Sequence, residues 1–184
     1  GSKTLKEFPF QKKVGAVKPL LSAVIEKVET HTKELGRSDV RYNIELKSRP
    51  EYDTIFHPKP GQFTSLVLGV VNQYGIEDRT SIQSFDPRIL QEVKQQQPEI
   101  PVAMLVGNST GPLEDFGQLG FEPDIYSPNY AMITDSLVVD LHRMNIAVIP
   151  WTVNDTTDMK RMIQSGVDGI ITDYPNFLLK LVDN

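Results

Sequence analysis

A chain of 184 residues, 39% hydrophobic and 23% charged, has the profile of an ordinary globular domain and can bury a core without disulfides or a structural metal. It contains no cysteine, which excludes a disulfide framework, a Cys-based zinc site and a thiol nucleophile. The net charge of −5 is mild and dispersed, with no basic face for nucleic acid, and no apolar run approaches the ~20 residues of a membrane helix. A cysteine-free chain is at home in either redox environment, so the expectation is a soluble protein, cytoplasmic or periplasmic or secreted. The opening Gly1-Ser2 reads as the scar of a cleaved tag. The rest reads as one domain over 1–184.

In chain order, residues 18–35 place Leu20, Leu21, Val24, Ile25, Val28 and Leu35 on one helical face. Arg41 to Lys47 reads as a strand, and the Pro-rich stretch from Ser48 to Gln62 as a long surface loop. Helical spacing returns over 62–75, with Gly75 as its C-terminal stop. Thr80 to Phe85 is a strand, and Asp86-Pro87 supplies an N-cap followed by proline at the first helical position. Pro101 to Val106 is a continuous apolar strand of the kind buried on both faces. A Gly-rich loop and a short element lead to a strand at Asp124–Ser127, then a helix over 134–145. Ile146 to Val153 reads as strand, 155–165 as helix ended by Gly166, and Gly169 to Asp173 as the last strand. Pro175 opens a terminal helix.

Strands joined by helical crossovers rather than hairpins pair in parallel, giving either a doubly wound sheet or a (β/α)8 barrel. Polar residues at the strand ends favour the barrel: Glu45 and Lys47, Gln83 and Ser84, Ser127 and Asn129, Trp151 and Asn154, and Asp173. A barrel gathers such ends around one mouth, where its active sites lie. A complete barrel needs eight strands and about 250 residues. Six are predicted here.

Four segments then stand out in order: Tyr42-Asn-Ile-Glu-Leu-Lys47, Ser81-Ile-Gln-Ser-Phe-Asp86, Trp151-Thr-Val-Asn154, and Gly166-Val-Asp-Gly-Ile-Ile-Thr-Asp-Tyr-Pro175. Each is weak alone; as an ordered set they resemble the glycerophosphodiester phosphodiesterase family, from about Phe10 to the C-terminus. The resemblance implies a TIM-type α/β barrel of the phospholipase-C-like phosphodiesterase kind. It also implies metal-dependent hydrolysis of glycerophosphodiesters to glycerol phosphate and an alcohol. In the family the Glu of Glu-x-Lys binds a divalent metal and the Lys contacts phosphate; these roles fall on Glu45 and Lys47. Residues two apart on a strand point the same way, and a carboxylate suits a hard cation such as Ca²⁺ or Mg²⁺. The plain alternative is a strand end with two solvated charges.

The remaining substrate-binding candidates are Ser84, Phe85, Asn129, Trp151 and Asn154. Trp151 is either an apolar wall for the glycerol or alcohol moiety or a large core residue. Asn154 either lines the mouth or caps the next helix, with capping favoured. Ser84 carries no nucleophile role, and Asp173 is assigned to holding the final turn.

The family begins with a His-Arg-Gly strand end, a Glu-x-Asp pair and a His-Asp, which supply the acid/base histidines and complete the metal site. None of these motifs is present. His31 and His142 fall in predicted helices, where a surface role is the plain reading, and His57 lies in the Pro-rich loop. The catalytic residues are therefore unassigned. The expectation is a barrel lacking about its first two βα units, an inactive chain derived from an active parent, and a homo-oligomer formed through exposed strand edges. The alternatives are a catalytically dead partial barrel acting as a binding or assembly module, and a related phosphoinositide or sphingolipid hydrolase.

Overall fold

A computed structural model of the chain describes residues 6, 12, 14–37, 39–109 and 111–182. Gly1-Ser2, read as a tag scar, lies outside the described residues. The chain divides into two compact units, Gly1–Val40 and Arg41–Asn184, a boundary that the sequence pattern did not draw.

Among its described residues the first unit has one helix, α1 (Leu21–Glu34). It lacks a side-chain N-cap but closes at Gly36, which adopts the left-handed conformation (φ 60°) while Arg37 N–H donates to the Thr32 carbonyl. Of its apolar face, Ile25 is fully buried, whereas Leu20, Val24 and Leu35 are exposed.

The second unit is a five-stranded parallel sheet: β1 (Tyr42–Glu45), β2 (Thr80–Ser84), β3 (Val102–Val106), β4 (Ile125–Pro128) and β5 (Ala147–Val148). Helices α2 (Pro60–Tyr74), α3 (Pro87–Gln96), α4 (Pro112–Leu119) and α5 (Asp135–Arg143) are the crossovers, and α6 (Thr156–Gln164) and α7 (Pro175–Val182) follow β5. Strand order in space is β1-β2-β3-β4-β5, the same as in the chain. A doubly wound sheet reverses direction at a switch point, and this one does not. The order therefore decides for barrel-type winding, which the composition left open.

All five residues of β3 are buried, as its unbroken apolar run requires of a central strand covered on both faces. Helix α3 buries Ile89, Leu90 and Val93 along one stripe, and begins as the sequence indicates. Asp86 accepts from Arg88 N–H and Pro87 occupies the first turn, where its missing N–H costs nothing. Gly75 ends α2 in the left-handed conformation (φ 60°).

The sixth predicted strand is a correction. Gly169–Asp173 forms no regular strand. The segment runs beside β5 through Asp168 N–H to Val148 O, Ile171 N–H to Pro150 O and Val153 N–H to Ile171 O, each 2.9 Å. Pro150 has no N–H to give, so the ladder between β5 and this segment is interrupted there.

Candidate functional site

Parallel strands deliver their C-terminal ends to one side of the sheet. At the end of β1, Leu46 turns into the core, 1% exposed, and its N–H donates to Gln83 O of β2. The two-residue period therefore sends Glu45 and Lys47 to the opposite side. Their head groups meet: Lys47 Nζ lies 2.6 Å from Glu45 Oε1, with Lys47 79% and Glu45 23% exposed. Together with Arg49, Tyr52, Phe85 and Arg88 they line a pocket of about 760 Å³ at the ends of β1 and β2.

Asp86 and Arg88, which also line this pocket, belong to an ion-pair network that the sequence did not disclose. Arg88 of α3 donates from Nη1 to Asp53 Oδ2 (2.8 Å), and from Nη2 to Asp53 Oδ1 (3.2 Å) and Asp86 Oδ2 (2.7 Å). Its Nε reaches Asp86 Oδ1 at 3.0 Å. Ser48, next to Lys47, donates its hydroxyl to Asp86 Oδ2 at 2.7 Å. Burial pushes the Asp86 carboxyl up, but hydrogen bonds from Arg88 and Ser48 outweigh it and hold the group below the usual aspartate range. The Arg88 hydrogen bond likewise holds Asp53 down, and the two carboxylates raise Arg88 further above its ordinary value. Asp86 was legible as a helix cap; nothing in the spacing showed that Arg88 would carry it to Asp53.

Phe85 lies at the pocket and packs edge-on against Trp151, with ring centroids 5.3 Å apart. The indole N–H donates to Ser127 O, so Trp151 is anchored at its polar end and half-buried, between the two alternatives the sequence left. Asn129 bridges to Trp151 and accepts from Ala131 N–H, capping a single 3-10 turn. Ser84 is not at the mouth: it is 1% exposed, and its hydroxyl donates to Leu46 O and accepts from Asp86 N–H, bracing the turn beneath the pocket. Asn154 neither caps α6 nor joins the pocket. Asp155 is the cap, and Asn154 exchanges hydrogen bonds with Asp173, giving Nδ2–H to Oδ2 and accepting the Asp173 N–H.

His57 is committed at both ring nitrogens. Arg49 N–H donates to Nε2 (3.1 Å), which leaves Nδ1 protonated and donating to Pro58 O (2.9 Å). His31 is exposed on α1, and His142 pairs with Asp168 away from this pocket. Among the described residues no group of three or more His, Cys, Asp or Glu side chains could hold a metal. Glu45 offers one carboxylate, while Asp53 and Asp86 are taken by Arg88. A Ca²⁺ ion needs about six to eight oxygens and Mg²⁺ about six, so the described residues do not by themselves fit a divalent cation.

The chain matches the Glycerophosphoryl diester phosphodiesterase family over residues 2–177. A glycerophosphodiester phosphodiesterase of Caldanaerobacter subterraneus subsp. tengcongensis is 33% identical over 150 residues, which are 80% of this chain and 58% of the relative. One from Bacillus altitudinis is 31% identical over 177 residues, 94% of this chain and 66% of the relative. The crystal structure of a glycerophosphodiester phosphodiesterase from Parabacteroides distasonis is 27% identical with a TM-score of 0.68, covering 86% of this chain and 63% of that one. An Oleispira antarctica phosphodiesterase in complex with the product sn-glycerol-3-phosphate, 20% identical, shares the fold at a TM-score of 0.69, over 88% of this chain and 61% of that one. This chain belongs to the glycerophosphoryl diester phosphodiesterase family, and its sheet is that family's TIM-barrel type. It spans 58% and 66% of the length of the two curated relatives.

Proposed function

We propose that the whole protein hydrolyses glycerophosphodiesters to glycerol phosphate and an alcohol, and that the β1–β2 pocket receives the phosphodiester. The observation that carries this is the Glu45-x-Lys47 pair at a pocket on the C-terminal side of a parallel sheet, in a chain of this family. Lys47, exposed at its head group, exchanges the Glu45 carboxylate for a phosphate oxygen. Phe85 and the Trp151 ring behind it offer the apolar surface for the glycerol or alcohol carbons, and Asn129 sits beside them. Glu45 would be one ligand of the Ca²⁺ or Mg²⁺ that the family resemblance implies.

This chain alone does not turn over substrate. Cleavage of a P–O bond needs one group to activate the attacking oxygen and another to protonate the leaving alkoxide. Both nitrogens of His57 are spent on the loop, and the His142 ring is paired with Asp168, which does not line the pocket. The test is hydrolysis of glycerophosphocholine with Ca²⁺ or Mg²⁺ against chelator, alongside Glu45→Ala, together with calorimetric binding of sn-glycerol 3-phosphate. No turnover is expected, with binding that Lys47→Ala weakens; metal-dependent turnover abolished by Glu45→Ala would overturn the inactivity. No described helix is long and apolar enough to cross a membrane.

A further inference from the structure

The segment from Arg49 to Pro58 has little regular structure beyond one 3-10 turn, Pro50–Tyr52, yet it forms one wall of the pocket. Its own bonds make it a compact knot. Arg49 N–H and the His57 ring close its base, Thr54 N–H donates to His57 O at 2.7 Å, and Tyr52 packs edge-on to Phe56 at 5.2 Å. His57 lies flat against Phe63 of α2. None of these contacts sets the distance from the knot to the opposite wall, where Phe85 and Asp86 stand. Two ties do: Ser48 on Asp86, and Arg88 on Asp53.

An arginine at a phosphodiester pocket invites the reading that it binds phosphate. The geometry argues otherwise. Its Nε, Nη1 and Nη2 all donate to Asp53 and Asp86, so the trio carries a net negative charge and has no fork to offer an incoming anion. We infer that Arg88 is a positioning residue: it clamps Asp53 of the 49–58 segment to the Asp86 cap of α3 and thereby fixes the width of the pocket in front of Lys47. Because Ser48 hangs from the same Asp86, one carboxylate sets both the backbone beside Lys47 and, through Arg88, the far wall. This rests on the pocket being the phosphodiester site, but the clamp itself can be tested without substrate.

Tyr52 and Phe56 are exposed enough for chymotrypsin, 38% and 78%, and cleavage requires the knot to open locally rather than merely to be accessible. Asp53→Asn keeps the shape and removes the charge. It should speed cleavage after Tyr52 and Phe56 by about tenfold or more while leaving the global unfolding midpoint nearly unchanged. Asp53→Glu and Arg88→Lys, which preserve a charge pair, should restore part of the resistance, and sn-glycerol 3-phosphate should bind Asp53→Asn more weakly than the wild type. Equal cleavage of wild type and Asp53→Asn would overturn the inference, as would faster cleavage at every site with a lowered midpoint, the mark of a merely structural role. A wild type that binds no sn-glycerol 3-phosphate, with the cleavage contrast intact, would overturn the substrate reading and leave the clamp supported.

Discussion

The carboxylates of Asp115, Asp53 and Asp86 are held by different partners, and the difference predicts how each responds to change. Asp115 of α4 is 8% exposed and accepts the Tyr126 hydroxyl at 2.7 Å. Burial, then the bond to Asp115, pushes the Tyr126 hydroxyl well above its usual range, so it remains a donor throughout ordinary conditions. Tyr126→Phe deletes that donor and should cost about 1–3 kcal/mol in denaturant unfolding, chiefly by stranding the carboxylate. Asp53 and Asp86 instead depend on a cation, and the sign of their pH response follows from their lowered values. A depressed carboxyl contributes stability that is present above its ordinary value of 3.8 and is lost as pH falls through the lower, folded value. Resistance to chymotrypsin-like opening should therefore hold from neutrality down to about pH 4 and fail below it, and Arg88→Gln should flatten that profile. The sequence made Glu45 and Lys47 legible because their relation is local, two positions on one strand. It could not reveal Arg88, whose partner Asp53 lies 35 residues away, beyond α2 and β2, in a segment without periodicity.

Helices were legible from their punctuation. Asp86-Pro87 and Gly75 do what their chemistry suggests, and α5 and α6 end within two residues of where their apolar stripes stop. The cap of α6 was displaced by one residue: Asp155 accepts from Thr157 N–H, and the neighbouring Asn154 is left free to pin Asp173. Adjacent Asn and Asp are equivalent cappers on paper, and only the tertiary partner of one decides between them. Asn154→Ala should leave α6 helicity intact while amide exchange accelerates at 172–174; loss of α6 instead would restore the capping role. At α5 the cap is Thr134, accepting from Leu137 N–H, and Thr134→Ala should lower unfolding free energy by about 1 kcal/mol. Five of the six predicted strands form, and their extent was not legible. The alternation of residue types gave no sign that Pro150 would break the pairing of the last two segments.

At the scale of the whole molecule, barrel winding was legible because polar residues sat at every strand end, and the consecutive strand order agrees with it. In that order β1 is a terminal strand of the sheet. Terminal strands present a template for another chain unless something covers them. Self-association through this edge is accordingly proposed for the isolated chain, and light scattering over a concentration series should show mass rising above 20.7 kDa. A monomer at every concentration would remove the proposal.

The consecutive order also sets a sequence of assembly. Ile82 faces Val102, Ala103 faces Ile125, and Ile125 faces Ala147, so each of these pairings closes a short stretch of chain. The β1–β2 pairing sets Tyr42 against Thr80, across the Arg49–Pro58 knot and α2, and closing that longer stretch costs more entropy, about 0.6 kcal/mol per doubling of length. The middle strands therefore zip first on folding and part last on unfolding, while β1 arrives late and frays early. Glu45 at the end of that late strand and Lys47 just past it both line the pocket, so the proposed recognition surface should melt as a separate, earlier event than the core beneath it.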